Sequence, residues 1–199
     1  MYKIISDTSC DLSKEEVKEL GIEYVPFKIS IDGVEYEDDD NLNMEEYLDK
    51  MEKTENAIKT ACPSPYDYLK IIEENSDKDL YLLTISSKLS GSYNSAKIAE
   101  QEAREKFKDI KIHVIDTKAA SAGHTRVVLK LLDLVKDKSF EEVVPAIESE
   151  VNNSTTMFVL ESMKNLIKNG RIKKSAGLIA NVLNIRPIMI SKDGDIELF

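Results

Sequence analysis

The chain has 199 residues, of which 42% are hydrophobic and 32% charged, so it can form a sizeable core and is not expected to be disordered as a whole. Its net charge of −10, from 37 acidic and 27 basic residues, argues against nucleic acid and anionic membrane surfaces as partners, because both are bound through clustered Lys and Arg. A small anion held by neutral hydrogen-bond donors is compatible with this charge.

The start of the chain carries no sign of export. Residues from Met1 to Asp7 lack the long apolar run of a secretory signal, and no stretch approaches 18 consecutive apolar residues. We therefore expect a cytoplasmic protein without a membrane span. The two cysteines, Cys10 and Cys62, are expected to be reduced thiols.

The predicted elements begin with an alternation of strand and helix. A β-rich run at residues 2–6 precedes a helix at 13–19, whose start is marked by the capping box of Ser13 and Glu16. The next segments are a strand at 24–31, a hairpin turn at Asp32-Gly33 with its return at 34–36, a helix at 44–53, a loop at 60–64 and a helix from Pro65.

The middle of the chain contains the most apolar predicted strand. Residues 80–85 form a run of strand length, bounded by charge before and serines after, which is typical of a strand buried within a sheet. The remaining patterns predict a helix at 91–106, a strand at 111–115, helices at 121–136 and 139–151, a strand at 155–160, helices at 161–169 and 175–183, and a terminal hairpin at 186–199.

The order of these elements indicates the fold class. Repeated strand–helix units predict an α/β N-terminal domain over residues 1–154, with a parallel sheet that carries helices on both faces. Residues 155–199 are expected to begin a second, α+β domain. Because the last predicted strand reaches the end of the chain, we expect this second domain to be truncated, although a second copy of the chain could instead complete its sheet.

Small hydroxyl side chains gather in the loops that follow the predicted strands, where open α/β sheets bind their ligands. The loops in question contain Ser6, Thr8 and Ser9; Thr60; Ser86, Ser87, Ser90 and Ser92; and Thr117 and Ser121. Such donors suit a carboxylate or phosphate, especially where Gly91 allows close approach and a helix presents its positive end. Any single hydroxyl can instead be a cap or turn former, so Ser90-Gly91-Ser92, directly after the buried strand, is the strongest candidate.

Other chemistries lack their sequence motifs. The chain has no G-x-x-x-x-G-K-[ST], no G-x-G-x-x-G and no G-x-S-x-G. A Ser90 nucleophile with His124 and Asp116 would make a hydrolase, and it stands as the alternative although no spacing selects it. His113 is expected to be structural, and the Asp38–Asp40 run to be a solvated loop, so no metal site is predicted.

Arg171 is a further candidate. It follows Gly170 directly, at the end of a predicted helix. An arginine in this position can contact an anion or a partner protein, or it can simply lie at the surface.

Several of these segments resemble the DegV family, the fatty-acid-binding partners of bacterial fatty acid kinase. The most specific is residues 86–96, which are close to S-S-x-L-S-G-T-Y-x-S-A, with Ser92 where Thr is usual. Residues 60–65 are similar to T-S-x-P-S-P. Further likenesses are residues 6–12 to D-S-[ST]-x-D-L, 32–36 to D-G-x-x-Y, 169–172 to G-G-R-I and 183–188 to L-x-I-K-P-I. The matches run in order along the whole chain.

This resemblance implies a function. It implies a binding protein without catalysis of its own or a cofactor, which buries a long acyl chain such as that of palmitate between or beneath two domains. The carboxylate would be held by Thr60 and Ser90, with the Gly91 and Ser92 backbone close by. A partner fatty acid kinase would convert this carboxylate to an acyl phosphate, and Arg171 would lie near the site or the docking face.

Overall fold

The computed structural model describes residues 1–172 and 186–199. In chain order its elements are β1 (Tyr2–Asp7), α1 (Lys14–Glu19), β2 (Glu23–Val25), β3 (Lys28–Ile31), β4 (Val34–Glu37), α2 (Met44–Lys53), β5 (Lys59–Ala61), α3 (Pro65–Glu74), β6 (Asp79–Thr84), α4 (Ser92–Lys106), β7 (Ile112–Asp116), α5 (Ala122–Leu134), α6 (Phe140–Asn152), β8 (Met157–Val159), α7 (Lys164–Lys168), β9 (Ile188–Lys192) and β10 (Asp195–Leu198).

A four-stranded parallel sheet in the order β2-β1-β6-β7 forms the centre of the fold. The apolar run predicted to be a buried strand is β6, which lies between β1 and β7 with five of its six residues buried. Because both faces of such a strand meet helices, its sequence is apolar throughout instead of alternating with polar residues.

Helices cover both faces of this sheet, which confirms the predicted fold class. Alternate strand residues point to opposite faces, so Tyr81 and Leu83 pack towards α5 and α6, while Leu80 and Leu82 pack towards α3 and α4. The alanines of α4 that face the sheet are fully buried, and their small side chains allow the helix to lie close to the strands. The buried positions on α4 include Ala96, Ala99 and Ala103.

Two small antiparallel sheets accompany the parallel one, in the orders β4-β3-β5 and β10-β9-β8. Both predicted Asp-Gly hairpins are confirmed, since Asp32-Gly33 joins β3 to β4 and Asp193-Gly194 joins β9 to β10. All four residues have positive φ, from 48° to 88°, the conformation that two-residue hairpin turns require. The β8–β10 sheet has its own small core around Met163, Ile172 and Met189.

Two element predictions are wrong. The strand expected at 24–31 is two strands, because Pro26 lacks an N–H for ladder pairing; β2 joins the parallel sheet and β3 pairs antiparallel with β4 and β5. The segment expected to be a loop at 60–64 begins as β5, in which Thr60 pairs with Ile29.

Some predictions lie beyond what the structure tests. The helix expected at 175–183 falls outside the described residues, as does much of the 183–188 segment. The division of the chain after residue 154 stays a prediction. Over residues 1–172 and 186–199, no helix has the length and apolar character that a membrane crossing requires.

Candidate functional site

The carboxyl ends of β1, β6 and β7 lie side by side, and hydrogen bonds join the loops that follow them. The Asp7 carboxylate, at the end of β1, accepts from the Ile85 N–H at 2.9 Å, just after β6. The Asp116 carboxylate, at the end of β7, accepts from the Ser87 N–H at 3.1 Å. The predicted gathering of hydroxyl-rich loops at one edge of the sheet is therefore present.

The Ser90-Gly91-Ser92 segment enters α4, with Gly91 as the N-cap residue. Ser90 is half-buried, and its hydroxyl accepts from the Ser92 N–H at 3.3 Å. The Ser92 side chain is fully buried and points inward, where its hydroxyl donates to Asp7 Oδ2 at 2.6 Å and lies 2.7 Å from the Tyr68 hydroxyl. The Ser92 hydroxyl is therefore used by Asp7 and Tyr68, whereas the Ser90 hydroxyl lies beside the positive end of the helix.

Thr60 comes to the same region from a different sheet. It is exposed on β5, and Cys62 follows two residues later. A Cβ atom placed on Gly91 would lie 3.3 Å from Cys62 Sγ, and Cys62 Sγ lies 4.0 Å from Ser95 Oγ on the first turns of α4. The Cys62 side chain therefore lies beside Gly91 and the first turn of α4, which places the chain after Thr60 next to the Ser90–Ser92 segment, about 30 residues away in sequence.

Arg171 contacts the backbone of the loop that precedes Ser90. Its Nε donates to the Leu89 carbonyl at 2.6 Å and its Nη1 to the Asn169 carbonyl at 2.7 Å. Asn169 in turn donates from its side-chain amide to the Ile58 carbonyl at 2.9 Å. The end of α7 therefore joins the loop before Ser90 to the segment before Thr60.

The β8–β10 sheet packs against the same edge. Ser86 Oγ donates to the Gly194 carbonyl at 2.8 Å, and Ser191 Oγ donates to the Lys118 carbonyl at 2.7 Å. A Cβ atom on Gly123 would lie 2.2 Å from Thr156 Oγ1, so α5 meets the start of β8 with no room for a side chain. The junction encloses about 30 Å³, the space of a buried water rather than of an acyl chain.

Asp7 and His124 are the centre of a buried polar cluster. The sequence placed Ser6 and Ser9 in the hydroxyl-rich loops and named His124 as a candidate, but it did not predict that these residues form a buried cluster. The Asp7 and His124 side chains have no exposed surface. The two ring nitrogens of His124 lie 2.7 Å from Ser9 Oγ and 2.9 Å from Ser6 Oγ, and Ser9 Oγ donates to Asp7 Oδ1 at 2.6 Å. Burial lowers the pKa of His124, and the nearby Asp7 carboxylate opposes this shift. An aspartate at the end of an apolar strand, flanked by serines, is the sequence signal that could have indicated the cluster.

The alternative hydrolase arrangement is not assembled. Both ring nitrogens of His124 are used by Ser6 and Ser9, not by Ser90. Asp116 accepts from backbone N–H groups of Ser87 and Lys118. His113 pairs with Glu148 at 2.8 Å, as a structural histidine would.

Two further observations concern what the site can hold. In the part of the chain that the structure describes, Thr84 Oγ1, on the last residue of β6, is a buried hydroxyl without a hydrogen-bond partner, which is typical of a position that meets water or a ligand. Within the same residues, no cluster of His, Cys, Asp and Glu has the arrangement of a metal site.

Comparison with known proteins decides the family. The family model described as "Uncharacterised protein, DegV family" matches residues 1–199. The chain belongs to the DegV family. A DegV domain-containing protein of Streptococcus pneumoniae is 39% identical over 201 residues, which cover 99% of this chain and 71% of that protein.

Solved structures of DegV proteins share the fold. The fatty acid kinase B3 protein of Streptococcus pneumoniae, loaded with linoleic acid, is 37% identical with a TM-score of 0.90, over 100% of this DegV chain and 72% of that one. A DegV family protein of Ruminococcus gnavus with vaccenic acid is also 37% identical, with a TM-score of 0.89, over 100% of this chain and 71% of that one. The predicted family is therefore confirmed.

Proposed function

We propose that this DegV protein binds a long-chain fatty acid and presents its carboxylate to a partner kinase. In this proposal the Thr60 and Ser90 hydroxyls donate to the carboxylate, and the backbone at Gly91 and Ser92 adds the positive end of α4. The observation that carries the proposal is the position of Cys62 Sγ, which lies 4.0 Å from Ser95 Oγ and 3.3 Å from where a Cβ on Gly91 would be. It places the chain directly after Thr60 beside the Ser90-Gly91 segment.

The ligand class is supported by similar proteins. Two structures that share the fold and more than a third of the residues hold linoleic acid and vaccenic acid. Burial of an apolar chain contributes about 0.8 kcal/mol per CH₂ group, so the chain would dominate affinity while the hydroxyls orient the head. We also propose that the protein is cytoplasmic, as expected from the sequence.

Neutral donors fit a carrier that passes its ligand to a kinase. A bidentate arginine would neutralise the carboxylate and cover both of its oxygens. Hydroxyl and backbone N–H groups hold the carboxylate while leaving its charge and one oxygen available for phosphoryl transfer. The partner kinase would transfer a phosphoryl group to that oxygen and give an acyl phosphate, so this chain would need no catalytic residue.

Lipid extraction and binding measurements test the proposal. Mass spectrometry of an extract from the folded 199-residue protein is expected to detect a long-chain fatty acid, and the delipidated protein is expected to bind palmitate more tightly than hexadecanol. Replacement of Thr60 and Ser90 together by alanine should weaken palmitate binding about tenfold or more, because hydrogen bonds to a charged group are lost. Unchanged affinity in that variant would contradict the site.

A matched control separates this effect from general damage. Ser139→Ala removes a hydroxyl at the start of α6, where Ser139 contacts Glu142 at 2.8 Å. This variant should bind palmitate as the unmodified protein does.

A further inference from the structure

Asp7 is a buried carboxylate held entirely by hydrogen-bond donors. Oδ1 accepts from the Ser9 N–H at 3.3 Å and the Ser9 hydroxyl at 2.6 Å, and Oδ2 accepts from the Ile85 N–H at 2.9 Å and the Ser92 hydroxyl at 2.6 Å. The titratable group that faces it is His124, whose Nδ1 is 3.7 Å from Oδ1, beyond a direct hydrogen bond. The proposed function assigns no role to the Asp7 carboxylate.

The two donors to Oδ2 lie on either side of one loop. Ile85 is the residue that follows β6, and Ser92 is the first residue of α4. A single oxygen atom therefore holds both ends of the 86–91 loop, which contains Ser90 and Gly91. Since Asp7 is the last residue of β1, which has a strand on each side, the loop is fixed to the central sheet.

The charge on Asp7 also sets the direction of the surrounding hydrogen bonds. A serine hydroxyl has one proton, and Ser92 gives it to Asp7, so Ser92 Oγ accepts from the Tyr68 hydroxyl, 2.7 Å away. By the same reasoning Ser9 Oγ accepts from His124 Nδ1–H at 2.7 Å. Two chains of hydrogen bonds, one from α3 and one from α5, thus end on the same carboxylate.

We propose that Asp7 is the positioning residue of the ligand-binding loop, which holds the Ser90-Gly91 segment in the geometry that a carboxylate head needs. This role rests on the proposed function. A carboxylate accepts several hydrogen bonds at once and is sensitive to where the donors lie, whereas an alcohol head can both donate and accept and tolerates displaced donors. Asp7 therefore contributes to the preference for the acid over the alcohol of the same chain length, without touching the ligand.

The test compares palmitate and hexadecanol on the delipidated 199-residue protein. Asp7→Asn keeps the size of the side chain but replaces the carboxylate by a neutral amide, which is a weaker acceptor. We expect palmitate affinity to fall about tenfold or more and hexadecanol affinity to change by less than about threefold. If Asp7 only supported the fold, its replacement would lower the affinities for palmitate and hexadecanol by the same factor.

Two other variants make the result decisive. Glu100→Gln is the matched control, because Glu100 is also a buried carboxylate, on the same α4 helix, but pairs with Arg104 at 2.9 Å and lies two turns from the loop. It should leave the ratio of the two affinities unchanged. Ser92→Ala removes one of the two donors to Asp7 Oδ2, while Asp7 keeps its other donors. The ratio of palmitate affinity to hexadecanol affinity should therefore fall. This variant tests the proposal even if the Asp7→Asn protein does not fold.

The outcomes distinguish the two levels of the proposal. If the unmodified protein binds palmitate no better than hexadecanol, the proposed carboxylate site itself is wrong. The unmodified protein could instead prefer palmitate while the folded Asp7→Asn and Ser92→Ala variants keep its ratio of palmitate to hexadecanol affinity, or lose both affinities by the same factor. That result would overturn the positioning role of Asp7 but not the proposed carboxylate site.

Discussion

Arg171 donates from its guanidinium to the Leu89 carbonyl at 2.6 Å, one residue before Ser90. The two residues are 82 positions apart in sequence. Their contact means that the segment after α7 helps to fix the loop that is proposed to bind the ligand head.

Replacement of Arg171 by alanine should therefore weaken ligand binding without unfolding the protein. The side chain is exposed, so the free energy of unfolding should change by less than about 1 kcal/mol. Palmitate affinity should fall severalfold, and amide hydrogen exchange at residues 89–91 should become faster. Arg126→Ala is the control, because that exposed arginine pairs with Glu150 at 2.7 Å on the α5–α6 side. Equal effects of both variants would contradict a specific role for Arg171.

Gly91 is required because a larger residue would crowd Cys62, and not because of its backbone conformation. Its φ of −74° is available to any residue, but an added Cβ would lie 3.3 Å from Cys62 Sγ. Gly91→Ala should therefore change the free energy of unfolding by less than about 1 kcal/mol while it displaces the Thr60–Cys62 segment and weakens palmitate binding. The second substitution Cys62→Ala removes the sulfur and should restore binding in the double variant. Failure of this rescue would show that the contact does not couple the two segments.

The packing of Gly123 against Thr156 predicts a stability effect. A Cβ at Gly123 would lie 2.2 Å from Thr156 Oγ1 and 2.9 Å from Ala119 Cβ, so Gly123→Ala forces α5 away from β8. We expect a loss of about 1–3 kcal/mol in the free energy of unfolding, measured by urea denaturation. Adding Thr156→Ala should recover part of this loss, because the Ala119 contact is still present. A stabilised Gly123→Ala protein would contradict the close packing.

His124 predicts how stability depends on pH. Its pKa is lowered by burial, so below the ordinary histidine value of 6.5 the unfolded chain binds a proton that the folded protein excludes. Its contribution is therefore fully present above about pH 7 and is lost as the pH falls through 6.5, by at most about 1.4 kcal/mol per pH unit. His124→Gln should show a shallower loss of stability between about pH 7.5 and 5.5 than the unmodified protein. A loss of stability in His124→Gln as steep as in the unmodified protein would contradict this role of His124.

Much of the fold could be predicted because its signals are local. The capping boxes of Ser13 with Glu16 and of Ser64 with Asp67 lie at the predicted helix starts, and both Asp-Gly turns have the positive φ values that such turns need. The apolar run of β6 was enough to place it inside the sheet. Each of these features depends on neighbours within a few residues.

The contacts at this edge of the sheet could be predicted only in part, because the residues that make them are far apart in the sequence. The hydroxyl-rich loops that contain Thr60 and Ser90 followed from the predicted strands, and Arg171 from its place after Gly170. The resemblance to the DegV family then selected Thr60 and Ser90 among the hydroxyls. Asp7 and its flanking serines at the end of β1 are visible in the sequence, but their partners are not, because Asp7 meets Ser92 across 85 residues and Ser6 meets His124 across 118. The inward direction of the Ser92 hydroxyl could not be read from the sequence either.

The sequence by itself determined the α/β class, the helix starts and hairpins, the family and the edge of the sheet at which hydroxyl groups gather. Tertiary structure alone decided that β2 joins the parallel sheet while β3 pairs with β4 and β5, that Thr60 stands on a strand, and that Asp7 holds both ends of the Ser90 loop. The physical reason is that caps, turns and hydrophobic periodicity act over a few residues. The partners of a buried carboxylate are instead set by which distant segments pack together.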